Sequence, residues 1–342
     1  MWLVRDVLCR SELVAPDRQR AVFVMMNTLL FPSHSPLEPT QSSMDISQLA
    51  SELQSNHNLI VQGDNLRILP HLANDSVQLI YIDPPFNTGT TKRKRQITTT
   101  RSPSGTRTGF SGKRYSEEVI SSMSYGDRFD DYLAFLEPRL LEARRILSPT
   151  GLLYFHIDQR EVHYCKILLD SLFGRDCFLN EIIWAYDYGG RSRQRWPAKH
   201  DSIPGYVKSL AEYHLDLAAS DRLPYLAPSL VSREKAELGK LPTDVWWHTI
   251  VPTNSKEKTG YPTQKPLAIL ERIVRTSSQE EDTVLDFFAG SGTAGEAAAR
   301  NGRRYIMIDS HPDAIAVMVK RLGRHHPTLI DCSTLTTSGN QM

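Results

Sequence analysis

The chain has 342 residues, of which 40% are hydrophobic and 23% charged, with a formal net charge of +1. That length accommodates one large α/β domain with an insertion, or two modest domains, and the composition is that of an ordinary globular protein. The near-neutral balance excludes a global basic field, so any affinity for nucleic acid must come from local patches.

Near the start, the apolar run 21–31 is broken by Asn27 and Thr28 and is too short to cross a bilayer, so no membrane partner is expected. Arg18 and Arg20 before it faintly suggest a signal peptide, but no small-residue cleavage site follows. Residues 32–55 are rich in Ser, Pro and Gln, and 1–57 as a whole is expected to be a disordered leader, with Met44 as an alternative start. The four cysteines, Cys9, Cys165, Cys177 and Cys332, form no C-x-x-C pair. A zinc site or disulfide framework is therefore not expected, and a reducing compartment fits.

Order is expected from Asn58. Leu59-Ile60-Val61 reads as a strand, and Gly63-Asp64-Asn65 leads into a helical turn ending near Leu72. Val77, Leu79, Ile80, Tyr81 and Ile82 make a nearly continuous apolar run, the pattern of a buried strand. It stops at Asp83-Pro84-Pro85-Phe86, where two prolines fix an extended turn and remove two amide donors. Such a turn can simply cap a strand. It also suits the capture of an amino group: Asp83 and a proline carbonyl accept its hydrogen bonds, and Phe86 offers a face to a flat ring. Between Lys92 and Arg114 stand eight basic residues (Lys92, Arg93, Lys94, Arg95, Arg101, Arg107, Lys113, Arg114) and no acid. With Gly, Ser and Thr between them, 90–126 reads as a mobile basic loop suited to phosphate contact.

Residues 129–147 have helical spacing, with Pro138 as a kink; 152–157 reads as a strand, 161–173 as a helix closed by Gly174, and 178–184 as another strand. The alternation over 58–184 signals a largely parallel sheet covered on both faces. His156, Asp158 and His163 form no convincing ligand set, so no metal is assigned. Residues 185–260 break the alternation and interleave aromatics with Arg191, Arg193 and Arg195, as an irregular module that reads nucleic acid would. A helix at 266–277 and a strand at 283–288 follow, then Gly290-Ser291-Gly292 and a helix at 293–300, a strand at 305–309 and a helix at 312–322. The tail 323–342 is expected to be loose.

Gly290-x-Gly292-x-x-Gly295, between a strand and a helix, matches the dinucleotide-binding pattern, and Asp309 ends the next strand where a ribose hydroxyl would lie. Too few strands follow this turn to complete a sheet, so the missing ones must be those of 58–184. The sheet is then assembled from both ends of the chain, and the Gly290 and Asp83 turns share its carboxyl edge.

Asp286-Phe287-Phe288-Ala289-Gly290-Ser291-Gly292-Thr293 resembles the S-adenosylmethionine motif of amino-group DNA methyltransferases, and Asp83-Pro84-Pro85-Phe86-Asn87-Thr88-Gly89 resembles their catalytic motif. The order catalytic motif, recognition region, cofactor motif is that of the beta class, which includes the Mod subunits of type III restriction–modification systems. Tyr261-Pro262-Thr263-Gln264-Lys265-Pro266 and Gly63-Asp64-Asn65 are similar to two further family segments. The resemblance spans about 58–322. It implies an α/β fold with a doubly wound, circularly permuted, Rossmann-like sheet: a catalytic half at 58–184, a target-recognition region at 185–260 and a cofactor half at 261–322. It implies catalysis by Asp83, Pro84, Pro85 and Phe86. S-adenosylmethionine would be bound through Asp64, Thr263, Lys265, Asp286, Phe288, Gly290, Gly292, Thr293 and Asp309. Lys92, Arg93, Lys94, Arg95, Arg191, Arg193 and Arg195 would contact double-stranded DNA. A homodimer and a restriction subunit are further partners it leaves open, in a bacterial, nucleoid-associated cytoplasmic setting. Asp83 in the acidic position implies adenine N6 as the target; Phe86 stands where Tyr is commoner. Cytosine N4 methylation, a degenerate methyltransferase that only binds DNA, and a nicotinamide dehydrogenase are the alternatives.

Overall fold

The computed structural model describes residues 46–333 apart from 90–91, 103, 105–106, 109–113, 126 and 191. The described strands are β1 (Leu59–Gln62), β2 (Val77–Ile82), β3 (Lys92–Arg101), β4 (Arg107–Thr108), β5 (Arg114–Tyr125), β6 (Leu147–Phe155), β7 (Ile157–Asp158), β8 (Phe178–Ala185), β9 (His200–Val207), β10 (Val245–Trp247), β11 (Thr283–Asp286), β12 (Arg304–Asp309) and β13 (Thr328–Asp331). Ten form one sheet in the order β10-β8-β9-β6-β2-β11-β12-β1-β13, with β7 paired to β9. The run β6-β2-β11-β12-β1-β13 is parallel, and β9 is antiparallel to β6, β7 and β8.

Strands buried on both faces need apolar residues at odd and even positions alike, and the sheet divides its strands accordingly. Leu59, Val61, Ile80, Ile82, Leu285, Ile306 and Ile308 join one core, closed by the helices Tyr132–Ile146 and Val162–Phe173. Ile60, Leu79, Tyr81, Val284, Tyr305 and Met307 join the other, closed by Leu267–Ser277, Thr293–Arg300 and Pro312–Leu322. The sheet is doubly wound, largely parallel and assembled from both ends of the chain, with β11 inserted between β2 and β12.

Four expectations change. Part of the expected leader is a helix, Ile46–Leu53, whose Leu49 and Leu53 are buried in the core; residues 1–45 lie outside the described residues. The expected loop 90–126 contains a hairpin of β3 and β5 with β4 alongside, in a sheet of its own. The β-branched run Ile97-Thr98-Thr99-Thr100, masked by its charged neighbours, carries strand propensity. The boundary at 185 fails because β9, within the expected recognition region, lies inside the main sheet between β8 and β6. Pro204 argued against a central strand. Yet β9 pairs with β6 through 205–207 and with β7 through 201–202, so Pro204 falls where those two partners break, while it stays in register with Glu181 of β8. The tail supplies β13, which pairs with β1; residues 334–342 are outside the described residues. No helix among the described residues is long and apolar enough to cross a membrane.

Candidate active site

Strands β2 and β11 are parallel neighbours, with Leu79 beside Val284 and Ile80 beside Leu285, so both chains leave the sheet at the same edge. From β11 the sheet proceeds through β12 to β1 in one direction, and from β2 to β6 in the other. At such a reversal the connecting segments diverge and leave a crevice. Asp83, Pro84, Pro85 and Phe86 line it from one side; Asp286, Phe288, Gly290, Thr293 and Asp309 line it from the other. Thr263 and Lys265 form a third wall.

The Asp83 turn is fixed by its surroundings. Tyr132 Oη donates to the Pro85 carbonyl at 2.6 Å. Asn87, in the left-handed region at φ 51°, accepts from the Phe129 amide at 3.1 Å and donates to Glu161 Oε1 at 2.9 Å. Thr88 Oγ1 donates to Asp127 Oδ2, and the Gly89 amide to the Asp127 carbonyl. Lys265 Nζ donates to Asp83 Oδ2 at 2.5 Å, whereas Asp83 Oδ1 is buried with no hydrogen-bond partner among the described residues. An unpartnered buried carboxylate oxygen is costly, and a ligand N–H would relieve it. Phe86 is stacked on His156 at 6.0 Å between ring centroids, with Lys265 Nζ 4.8 Å from its own centroid. Its ring is held from two directions and lines the crevice.

On the cofactor side, Gly292 has φ 71° and caps the helix Thr293–Arg300; a Cβ there would lie 2.8 Å from Met318 Cγ. Gly295 lets that helix approach β12 so closely that a Cβ would meet Met307 Cγ at 2.9 Å. Asp309 Oδ2 accepts from the Gly290 amide and Oδ1 from the His311 amide, both at 2.8 Å, so this carboxylate fastens the turn to β12. Burial pushes the Asp309 carboxyl above the usual carboxylate range. Burial pushes Asp286 well above it too, aided by the charges of Asp83 and Asp309 and opposed by the Phe288 amide. Asp83, Asp286 and Asp309 line the crevice with one lysine, so a cation bound among them would favour the ionised form of the two raised acids, and the glycine turn admits a ligand close to the backbone. The residues present therefore fit S-adenosylmethionine, a sulfonium.

Of the expected cofactor residues, Asp64 and Gly292 do not line the crevice. Asp64 Oδ1 caps the short helix Asn65–Ile68 and pairs with Arg139. Its neighbour Asn65 does the bracing: Nδ2 donates to the Phe287 carbonyl at 2.7 Å, and Oδ1 accepts from Arg139 Nε at 2.7 Å. Lys265, expected at the cofactor, lines the crevice and donates to Asp83. Tyr81, Asp127, Tyr261 and Gln264 also line the crevice. Tyr261 and Gln264 belong to the segment Tyr261–Pro266 that resembles the family's, and Tyr81 lies two residues before Asp83 and so on the same strand face; Asp127 has no such signal. Among the expected DNA contacts, Lys92, Arg93, Lys94 and Arg95 belong to β3, Arg193 and Arg195 are exposed, and Arg191 lies outside the described residues. Trp196, beside Arg195, is 96% exposed.

Residues 77–320 match the family model described as DNA methylase. The DNA adenine methyltransferase YhdJ of Escherichia coli strain K12 is 28% identical over 274 residues, covering 77% of this chain and 82% of that one. The Mod subunit of the type III restriction-modification enzyme StyLTI of Salmonella typhimurium strain LT2 is 25% identical over 329 residues, covering 72% of this chain and 50% of its own. Among solved structures, the PvuII DNA methyltransferase (cytosine-N4-specific) superposes with a TM-score of 0.53 at 13% identity, over 82% of this chain and 96% of that one, a likeness of fold.

Proposed function

This chain belongs to the DNA methylase family, and on that premise we propose that it methylates the exocyclic N6 amine of adenine in double-stranded DNA. The observation that carries the site assignment is the shared crevice: the Gly290 turn and the Asp83 turn face one another across it, and the buried Asp83 Oδ1 has no partner. Adenine rather than cytosine is supported by Asp83 in the acidic position and by relatives such as the E. coli adenine methyltransferase.

The amine of adenine is a poor nucleophile because its lone pair is delocalised into the ring. Asp83 Oδ1 and the Pro84 carbonyl accept its two N–H groups and turn the lone pair outward, while Lys265 keeps the acid in place. Thr263, Phe288, Gly290 and Thr293 would hold S-adenosylmethionine across the crevice, where it would supply an electrophilic methyl group on a sulfonium. The protein's task is then orientation, which contributes on the order of 7–11 kcal/mol. Extruding the base costs a few kcal/mol, of which stacking on Phe86 returns about 1–3 kcal/mol. The basic β3 segment, with Arg193 and Arg195, supplies phosphate contacts toward the remainder. A homodimer and a restriction subunit are further partners in this reading, the latter supported by the Mod relative.

The test is product analysis after incubation with unmethylated DNA and labelled cofactor. N6-methyladenine is expected; N4-methylcytosine reassigns the target, and no methylated nucleoside leaves only a DNA-binding role. Asp83→Ala should retain DNA and cofactor binding and lose transfer, so undiminished turnover refutes its role.

A further inference from the structure

A chain of hydrogen bonds leads out of the crevice behind the catalytic acid. Tyr81 and Asp83 stand at alternate positions along β2 and its exit, so their side chains leave the same face, and both line the crevice. Tyr81 Oη lies 2.7 Å from His156 Nδ1, and His156 Nε2 lies 3.1 Å from Asp201 Oδ2. Asp201 Oδ1 accepts from Tyr186 Oη at 3.0 Å. His156 is fully buried, walled by Phe86 on one side and by the edge of Trp184 on another. Tyr186 is half-buried and adjoins the exposed Asp187 and Tyr188, so the chain runs from the crevice toward the surface.

The direction of these bonds follows from the acid. Asp201 Oδ1 accepts from Tyr186 Oη, and Asp201 Oδ2 faces His156 Nε2. An ionised carboxylate only accepts, so Nε2 of His156 carries a proton toward it, and in the neutral ring Nδ1 is bare. Tyr81 must then donate to Nδ1, and its oxygen remains an acceptor. Burial, followed by the charges of Asp83, Asp286 and Asp201, pushes the Tyr81 hydroxyl well above its ordinary value, so it keeps a proton to hand on. Hydroxyl, imidazole and carboxylate in this order form a proton acceptor.

We propose that Tyr81, His156 and Asp201 take up the proton released by the amine when it is methylated. The inference rests on the methyltransferase reading above. Formation of the N–C bond leaves nitrogen positively charged with two N–H bonds. One breaks, its electron pair staying on nitrogen; the proton passes to Asp83 Oδ1 and across the crevice to Tyr81 Oη, as the proton of Tyr81 moves to Nδ1. The resulting imidazolium faces the Asp201 carboxylate. The charged and titratable groups around it are Tyr81 from β2, Asp201 from β9, Tyr186 after β8, and Asp83, Asp286 and Lys265 at the crevice. No co-reactant is needed. Tyr81 is the catalytic member; His156 and Asp201 act through it.

Two measurements decide it. In the free protein, nitrogen NMR of labelled histidine should show His156 with its proton on Nε2 and Nδ1 bare; the opposite tautomer overturns the relay. In single-turnover transfer with saturating DNA and cofactor, Tyr81→Phe should slow the chemical step about 10²-fold at unchanged affinities, and added imidazole should restore part of it. A wild-type rate, or a loss residing wholly in affinity, overturns the proposal. Asp201→Asn serves as a second variant, expected to slow the same step and shift its pH profile; an unshifted profile with a wild-type rate counts as refutation. Absence of any transfer by the wild-type protein would instead defeat the methyltransferase reading, and the tautomer remains readable in that case.

Discussion

Lys265→Met isolates the contact that orients the acid. Exposed ion pairs contribute about 0–1 kcal/mol, whereas removing one partner of a buried pair costs about 3–5 kcal/mol. The Lys265 and Asp83 side chains are 8% and 18% exposed, which places the pair nearer the second limit. Methionine keeps the apolar stem but also loses the cation–π contact with Phe86, about 0.5–2 kcal/mol. The expected destabilisation is about 3–4 kcal/mol, because a largely buried carboxylate is left without its counter-charge. Adding Asp83→Asn removes the stranded charge, so the double variant should recover about half, with a coupling energy near ~2 kcal/mol. In single-turnover transfer, an acid no longer pinned through Oδ2 should slow the step about 10²-fold. Urea denaturation of the four proteins supplies the cycle. A cost below about 0.5 kcal/mol, or strict additivity of the two single variants, refutes the assignment of Lys265 as the residue that holds the acid.

Phe86→Ala should abolish most of the 2-aminopurine fluorescence rise on binding DNA with that base at the target; an unchanged rise counts against stacking. Asp286→Asn should alter how stability depends on pH. An acid whose folded pKa is raised binds more protons folded than unfolded, so stability falls as pH rises from its unfolded value of about 3.9 toward the raised one. The variant, which keeps an acceptor for the Phe288 amide, should lose this component and gain on the wild type in Tm as pH increases; a constant Tm difference refutes the shift. Gly292→Ala combines a left-handed φ with a Cβ 2.8 Å from Met318 Cγ. It should cost about 2–5 kcal/mol in urea denaturation, and a neutral effect would mean that the turn relaxes freely.

Much of the fold was legible because burial on both faces writes itself into composition: β2, β11 and β12 are largely apolar runs that reach an Asp, and the 152–155 part of β6 is apolar, whereas its start over Ser148-Pro149-Thr150-Gly151 reads as a helix stop. The assembly of the sheet from both chain ends followed from counting strands after Gly292. Strand β9 was not legible, because Pro204 and Gly205 contradict a central strand and only the break between β6 and β7 makes room for them. The hairpin of β3 and β5 was hidden by charge, since side chains that advertise solvent say little about backbone pairing.

Within the site, motifs marked turns but not partnerships. Gly63-Asp64-Asn65 was recognised as a segment, yet Asp64 caps a helix and pairs with Arg139 while Asn65 reaches 222 residues along the chain to the Phe287 carbonyl. Lys265 was placed with the cofactor because its motif precedes the cofactor strand, yet its ammonium lies on Asp83, 182 residues away. Proximity along the chain assigns a side chain to the element it belongs to; the crevice assigns it to whichever charge lies across the gap. Because two parallel strands from opposite ends of the chain deliver both turns to one edge, a residue on the cofactor side can hold the acid on the base side. The same juxtaposition puts Tyr81 within reach of that acid's crevice while its hydroxyl is tied to His156. In such a sheet the residues that position catalysis are to be sought on the neighbouring strand rather than on the neighbouring residue.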